Sequence, residues 1–194
     1  SLPFTLTLAS GSKGRRYLLE KAGYRFVIRP SNVDEPTEAE FGTCRQYVQE
    51  VAWLKAAAVA LETKSGVVLS ADSVGWIDDE VIGKPDDEAH ARRILQQLSG
   101  RTHELWTGVC LWHVETGFQI QWQEVSYVRM KAFTEKELDD YLATRLWEGC
   151  SGAYAIQEEN DPYLSIESGS WSNVVGLPIE SLAVGLDWIC KTSY

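Results

Sequence analysis

The sequence predicts an α/β protein whose sheet is mixed and twisted. In the first half of the 194-residue chain, short β-prone runs alternate with segments of helical periodicity, which is the order of strand–helix units. Two long β-prone runs, Glu104–His113 and Gln119–Lys131, then follow each other across a turn, and strands joined in this way are antiparallel. These paired strands predict a second lobe that folds against the first.

The first strand, TLTLA, ends in a Ser-Gly-Ser turn at positions 10–12 and leads into a short helix from Arg16 to Ala22. A helix that follows a tight, hydroxyl-bearing loop directs unpaired backbone N–H groups and the positive end of its dipole toward an anion. Lys13 and Arg15 add positive charge beside this loop. The pattern indicates a phosphate site, and a simple capped turn is the alternative.

The remaining elements follow from periodicity and from boundary residues. Apolar residues recur at helical spacing from Cys44 to Glu62, which predicts the longest helix. From Gly66, the run VVLSADSV does not alternate, so it predicts a strand covered on both faces. Thr134 and Glu137 have the spacing of a capping box. The other predicted elements are strands at Tyr24–Arg29 and Tyr163–Ser168, helices at Asp87–Leu98, Thr134–Leu146 and Ile179–Lys191, and a structured loop at Gly169–Pro178.

Four charged residues occupy positions where the folded chain can bring them together. Asp72 lies near the end of the buried strand, and a carboxylate there needs cations, a metal or an opening into a site. Glu35 follows another strand end, where a solvated acidic turn is the alternative. Lys55 is flanked by small residues and Lys84 by glycine and proline. A surface lysine and an ordinary turn are the alternatives for these two.

The composition limits the classes of function. A formal net charge of −10 argues against general nucleic-acid binding, which needs an excess of lysine and arginine. Neither a membrane-spanning run nor a secretory signal is evident, so we expect a cytoplasmic protein without a membrane partner. The four cysteines lack C-x-x-C spacing and are expected to be free thiols in a reducing compartment. Without repeats or linkers, residues 1–194 are expected to form a single domain.

One basic loop, separate carboxylates and two restrained lysines are what a protein needs to bind a polyphosphate together with a divalent metal. The carboxylates hold the ion, and the cations offset the charge on the phosphoryl oxygens. The three histidines belong to no recognisable nucleophile–base motif, so the sequence gives no support for a serine or cysteine nucleophile.

The chain closely resembles the Maf family in motifs that keep the same order over nearly its whole length. These motifs are LASGS with RR following, VDE, LKA, SADSV, IGKP, LSGRTHELWTGV, SGAYAIQ and SNVVGLP. The resemblance implies a two-lobed Maf/ITPase-like fold with a central cleft, and a homodimer. It also implies a nucleoside triphosphate pyrophosphatase that uses Mg²⁺, Mn²⁺ or Co²⁺. Such an enzyme cuts between the α and β phosphates to give a nucleoside monophosphate and pyrophosphate.

The resemblance further assigns roles to matching residues. Asp72 would be the general base that activates water, or a metal ligand, and Glu35 would help to hold the metal or the water. The residues implied to contact phosphate or stabilise its charge are Ser10, Arg15, Lys55 and Lys84.

Departures from the family pattern fall where the substrate is chosen. Lys13 and Gly14 stand where the family usually has proline and a large residue, and Gly14 removes a side chain that could contact the base or sugar. Ser73 and Gln157 resemble family members that prefer dTTP and UTP, whereas Glu158 replaces the usual glycine. The resemblance therefore implies a slight preference for pyrimidine triphosphates and for modified nucleotides.

Three other functions are alternatives to this hypothesis. The protein could hydrolyse 7-methyl-GTP, because Glu158 departs from the pyrimidine pattern, although family members that act on this substrate carry other residues at positions 73 and 157. It could bind nucleotides without turnover, as a regulator of septum formation. It could also be a phosphatase that releases orthophosphate. The identity of the products distinguishes these alternatives.

Overall fold

A computed structural model describes residues 1–37, 40–156 and 160–193 of the chain. The strands are β1 (Leu6–Leu8), β2 (Phe26–Ile28), β3 (Val67–Ile77), β4 (Glu80–Ile82), β5 (Thr102–His113), β6 (Gln119–Met130) and β7 (Leu164–Ser168). The helices are α1 (Lys13–Lys21), α2 (Cys44–Ala60), α3 (Glu88–Leu98), α4 (Glu135–Ala143), α5 (Trp171–Val175) and α6 (Ile179–Ser193).

Within these residues, seven strands form one mixed sheet in the order β2-β1-β3-β5-β6-β7, and β4 pairs with the end of β3. The strand β1 runs parallel to both of its neighbours, β2 and β3. The pairs β3–β5, β5–β6 and β6–β7 are antiparallel. The predicted α/β class, the mixed sheet and the antiparallel pairing of the two long strands are therefore confirmed.

The two faces of the sheet carry different helices. On one face, the Ser70 hydroxyl of β3 donates a hydrogen bond to the carbonyl of Ala52 in α2. On the other face, Leu18 of α1 and Leu186 of α6 belong to one buried cluster with Leu69 and Leu111 of the sheet. Because consecutive residues of a strand point to opposite faces, neighbouring residues near the end of β3 meet different helices.

Several predicted boundaries were wrong, and α1, for example, begins at Lys13 rather than at Arg16. The segment Gly169–Pro178, predicted as a loop, contains the helix α5, which Ser170 caps by accepting a hydrogen bond from the backbone N–H of Asn173. Five residues are too few to show helical periodicity, so the sequence pattern gave no signal for this helix. The helix α4 ends at Ala143, before the predicted end at Leu146.

Two local predictions, the capping box and the free cysteines, were confirmed. Thr134 accepts a hydrogen bond from the N–H of Glu137, and the Glu137 carboxylate accepts one from the N–H of Thr134 at 3.1 Å, which completes the capping box. All four cysteines are free, and Cys44 and Cys110 are buried. A search of the described residues found no helix with the length and apolar character needed to cross a membrane.

Candidate active site

Asp72, Lys55 and Glu35 form a compact charged cluster. The Nζ atom of Lys55 lies 3.0 Å from Oδ1 of Asp72 and 3.1 Å from Oε1 of Glu35. Lys55 and Asp72 are buried, with 9% and 7% exposure, whereas the Glu35 side chain is 44% exposed. The cluster is therefore open to solvent on the side of Glu35. The structure brings together three predicted site residues from three separate segments of the chain.

Gly108 explains how α2 approaches Asp72 so closely. It pairs with Asp72 across β3 and β5, and a Cβ atom at this position would lie 2.4 Å from the carbonyl oxygen of Val48 in α2. No other residue type leaves room for the helix backbone at this distance. Val48 and Lys55 are about two helical turns apart and so lie on the same side of α2. Gly108 thus allows Lys55 to reach Asp72.

The electrostatics of the cluster leave one carboxylate oxygen available. Burial raises the pKa of Asp72, while the charges of Lys55 and Arg15 and the hydrogen bond from Lys55 oppose this rise. The Oδ2 atom of Asp72 is buried and has no hydrogen-bond partner among the residues that the structure describes. An unpartnered buried carboxylate oxygen is costly, so Oδ2 is a favourable position for a water molecule or a cation.

Arg15 connects three segments around this cluster. Its Nε donates to the carbonyl of Gly176 at 2.7 Å, Nη1 to the Ser10 hydroxyl at 3.3 Å and Nη2 to the Ser73 hydroxyl at 3.1 Å. Burial lowers the pKa of Arg15, and the charge of Asp72 opposes this effect. A guanidinium has five N–H donors, so two remain after these bonds. They are oriented by the protein and are suited to phosphate oxygens.

A chain of hydrogen bonds fixes the Ser73 hydroxyl beside Arg15. Ser73 Oγ lies 2.8 Å from Thr107 Oγ1, and Thr107 donates to the carbonyl of Asn173 at 3.3 Å. Because the hydroxyl proton of Thr107 points to that carbonyl, Ser73 donates to Thr107 and accepts from Arg15. Ser151 supports the same residue by donating to the Ser73 carbonyl at 2.7 Å.

Two further predicted site residues are Lys84 and Gln157. Lys84 is exposed in the loop between β4 and α3 and has no ion-pair partner in the described part of the chain. Burial raises the pKa of the Cys150 thiol, and the charge of Lys84 partly opposes that rise, which places the two near each other. Gln157, predicted to bind the substrate, lies outside the described residues.

Gly14 has a packing role that the sequence analysis missed. A Cβ atom at this position would lie 3.2 Å from both Cγ1 and the carbonyl oxygen of Val175. Glycine therefore allows α1 to approach α5 closely, at the point where Arg15 bonds to the carbonyl of Gly176. The close contact between α1 and α5 explains why position 14 carries glycine.

The two carboxylates of the cluster offer oxygen donors, the ligand type that divalent ions such as Mg²⁺ prefer. Asp72 offers the unpartnered Oδ2, and the half-exposed Glu35 shares its lysine. Mg²⁺ is commonly held by one or two carboxylates together with substrate phosphates. Among the described residues, no group of three or more Asp, Glu, His or Cys side chains converges. The donor set therefore suits an ion that shares its ligands with a phosphate substrate.

Thr107, Ser151 and Asn173 belong to the site, although the sequence analysis did not single them out. They lie in the motifs LSGRTHELWTGV, SGAYAIQ and SNVVGLP. The only signal at each position is a small polar residue within a conformationally restricted or apolar segment. Thr107 and Ser151 bond to Ser73, and Asn173 accepts from Thr107. These bonds depend on the pairing of distant strands and on α5, so local sequence could not reveal them.

Comparison with known proteins gives a consistent result. Residues 5–188 match the family model described as Maf-like protein. The chain is 38% identical over 186 residues to a dTTP/UTP pyrophosphatase of Rhodopirellula baltica. The matched region covers 93% of this chain and 80% of that protein. It is 33% identical over 177 residues to a dTTP/UTP pyrophosphatase of Ruminiclostridium cellulolyticum, covering 91% of this chain and 92% of the relative. A dTTP/UTP pyrophosphatase of Bacillus cereus is 37% identical over 177 residues, with 91% of each chain covered.

Proposed function

Because this chain belongs to the Maf family, we propose that it hydrolyses nucleoside triphosphates to nucleoside monophosphates and pyrophosphate. The observation that supports this function most directly is the cluster of Asp72, Lys55 and Glu35 with the unpartnered Oδ2 atom. The buried carboxylate of Asp72 can accept a proton, and the cation Lys55 favours the charged form of this carboxylate. Glu35 adds a second carboxylate, which is partly exposed. Hydrolysis of a phosphoric anhydride needs these groups together.

In the proposed reaction, Asp72 acts as the general base. Its carboxylate accepts a proton from the attacking water as the water oxygen bonds to the α-phosphorus. The bond between this phosphorus and the oxygen that bridges to the β-phosphorus breaks, and pyrophosphate leaves with the electron pair. Lys55, 3.0 Å from Oδ1, favours the ionised carboxylate that a base requires.

The basic residues bind the phosphate tail. Arg15 contributes the two N–H groups that its protein contacts leave over, and the Ser10 hydroxyl lies beside them. Lys84, on its exposed loop, adds positive charge at the phosphates. These groups offset the negative charge that the phosphoryl oxygens carry in the transition state.

Glu35 would hold a divalent metal, and Asp72 would be a second ligand in the alternative in which it does not act as the base. When bound, such an ion draws electron density from phosphoryl oxygens and makes the phosphorus more electrophilic. Carboxylate oxygens accept Mg²⁺, Mn²⁺ and Co²⁺, and comparing turnover with each of the three identifies the preferred ion.

The substrates that we propose are dTTP and UTP. The relatives with 33–38% identity to this chain carry the name dTTP/UTP pyrophosphatase. Ser73 and Gln157 are the residues by which the chain resembles pyrimidine-specific family members. We also propose a homodimer in the cytoplasm, which light scattering coupled to gel filtration and cell fractionation would test.

One assay with product identification tests this function. Purified protein is incubated with dTTP, UTP, dCTP, dATP, dGTP or 7-methyl-GTP in the presence of Mg²⁺, Mn²⁺ or Co²⁺, and products are separated by anion-exchange chromatography. We expect thymidine or uridine monophosphate and pyrophosphate in equal amounts. Nucleoside diphosphate with orthophosphate would indicate a phosphatase. Tight binding without any product would indicate a regulator, and either result would contradict the proposal.

A further inference from the structure

A small pocket lies on the sheet face opposite to α2. Its walls come from β5, β6 and the segment after α4, and they include His103, Leu105, Ser151, Gly152, Tyr154 and Val174. The cavity volume is about 30 Å³, and polar and apolar surface contribute almost equally to the lining. This volume holds one or two water molecules, or an atom group of similar size at the edge of a larger ligand.

His103 lines this pocket and has a ring nitrogen without a partner among the described residues. The residue is only 5% exposed, and its Nδ1 has no hydrogen-bond partner among the described residues. A buried ring nitrogen without a partner is unfavourable unless a ligand or water completes it. The catalytic proposal gives His103 no role, so this nitrogen needs a separate explanation.

The pocket adjoins the phosphate-binding residues. Ser151 lines it and also donates to the carbonyl of Ser73, whose hydroxyl accepts from Arg15. Val174 lines it from α5, next to Asn173, which ends the hydrogen-bond chain from Thr107. The pocket therefore lies beside the residues that hold Arg15 in place.

We propose that this pocket receives the edge of the pyrimidine base of the substrate, and that His103 Nδ1 hydrogen-bonds to that edge. This inference rests on the proposed function, because a triphosphate tail bound at Arg15 fixes where the base begins. The ligand class is a nucleotide with a uracil-type imide edge, in which an N–H group is flanked by two carbonyl oxygens.

The chemistry of the pocket suits this edge. The imide presents both a donor and acceptors, so it pairs with Nδ1 in either neutral tautomer of the imidazole. Burial lowers the pKa of His103 to about 4, so the ring is neutral at neutral pH and does not attract a second phosphate. A single ring also reaches less far from the sugar than a fused purine, which suits a shallow pocket.

A pair of variants tests the contact. His103→Leu fills a similar space with an apolar side chain and removes Nδ1. His103→Asn retains a polar atom near the position of Nδ1. We expect His103→Leu to raise KM for dTTP and UTP by about tenfold with little change in kcat, and His103→Asn to restore much of the loss. The ratio of kcat/KM for dTTP over dATP should fall by a similar factor. An unchanged ratio in His103→Leu would overturn the inference and would indicate that the pocket holds only water.

Two further measurements separate this inference from the proposed function. Tripolyphosphate has no base, so its inhibition constant should be the same for wild type and His103→Leu; an equal loss for both ligands would indicate general disruption and contradict a base contact. His90→Leu, on the exposed start of α3, is the matched histidine control and should retain the wild-type ratio. Wild-type protein that releases no pyrophosphate would refute the function itself.

A measurement on the wild-type protein needs no variant. N3-methyl-dTTP carries a methyl group at the imide nitrogen, and we expect its kcat/KM to be at least about tenfold below that of dTTP. Equal rates for the two nucleotides would overturn the inference, even if neither His103 variant folds.

Discussion

Lys55 contacts one oxygen of Asp72 at 3.0 Å, and the second oxygen of the same carboxylate is buried without a partner among the described residues. A purely structural ion pair would be expected to satisfy both oxygens, because unpaired buried acceptors reduce stability. The incomplete pairing indicates that Oδ2 faces the position of a ligand.

Asp72→Asn should reduce pyrophosphate release by roughly a thousandfold or more, because an amide cannot accept the proton of the attacking water. The amide has nearly the same shape, so the fold should be retained. Pyrophosphate release from dTTP and binding of a non-hydrolysable analogue are measured side by side. Retained turnover with normal binding would remove Asp72 from the proton-transfer step.

Lys55→Met leaves Asp72 without its closest cation. We expect the free energy of unfolding to fall by about 3 kcal/mol at neutral pH, because a buried charge loses its partner. Turnover should fall roughly a hundredfold. The double variant Lys55→Met/Asp72→Asn should regain most of the stability but none of the activity. Urea denaturation gives the stability, and no recovery in the double variant would contradict the assumed charge coupling.

Thr107→Val removes the hydroxyl group between Ser73 and the carbonyl of Asn173. The Ser73 proton then has no fixed acceptor, so Ser73 no longer holds Arg15 in one orientation. We expect KM for dTTP to rise about tenfold, while Thr107→Ser, which keeps the hydroxyl, should behave like the wild type. Equal kinetics for the Val and Ser variants would show that the hydrogen-bond chain does not position Arg15.

Gly108→Ala places a methyl group 2.4 Å from the carbonyl oxygen of Val48 and must displace α2 from the sheet. We expect a loss of about 3 kcal/mol in unfolding free energy and a large loss of turnover, because Lys55 moves with the helix. Gly42→Ala is the control, since its Cβ would meet only the end of the Gln46 side chain at 3.4 Å. Thermal unfolding and pyrophosphate release are measured for both variants.

The pH dependence of stability should reveal the neutral state of His103. Burial lowers its pKa from 6.5 to about 4, so below pH 6.5 the unfolded chain binds a proton before the folded one does. The stability contributed by this difference is fully present above pH 6.5 and is lost as the pH falls toward 4. Wild type should lose about 2–3 kcal/mol more than His103→Leu between pH 7 and 4.5 in urea denaturation. Parallel losses would contradict a buried neutral imidazole.

Local sequence was sufficient for the elements that are defined by near neighbours. The capping box of Thr134 and Glu137 involves residues three positions apart, and the strand around Asp72 could be recognised from its unbroken apolar run. The charged residues Glu35, Lys55 and Asp72 were also identifiable, because each is an unusual residue in its local setting. Hydrophobic periodicity and charge in apolar segments are properties of the chain itself.

Only the tertiary structure decided which of these residues meet. Glu35 and Asp72 share Lys55 because α2 lies directly on Gly108, and Arg15 reaches Gly176 over 161 residues of chain. The sequence also could not show that Nδ1 of His103 is buried without a hydrogen-bond partner among the described residues, because burial and hydrogen bonding depend on every neighbouring element. The sequence by itself determined the strands, helices and candidate charges. Their distances and unsatisfied atoms come from long-range packing, which no local pattern encodes.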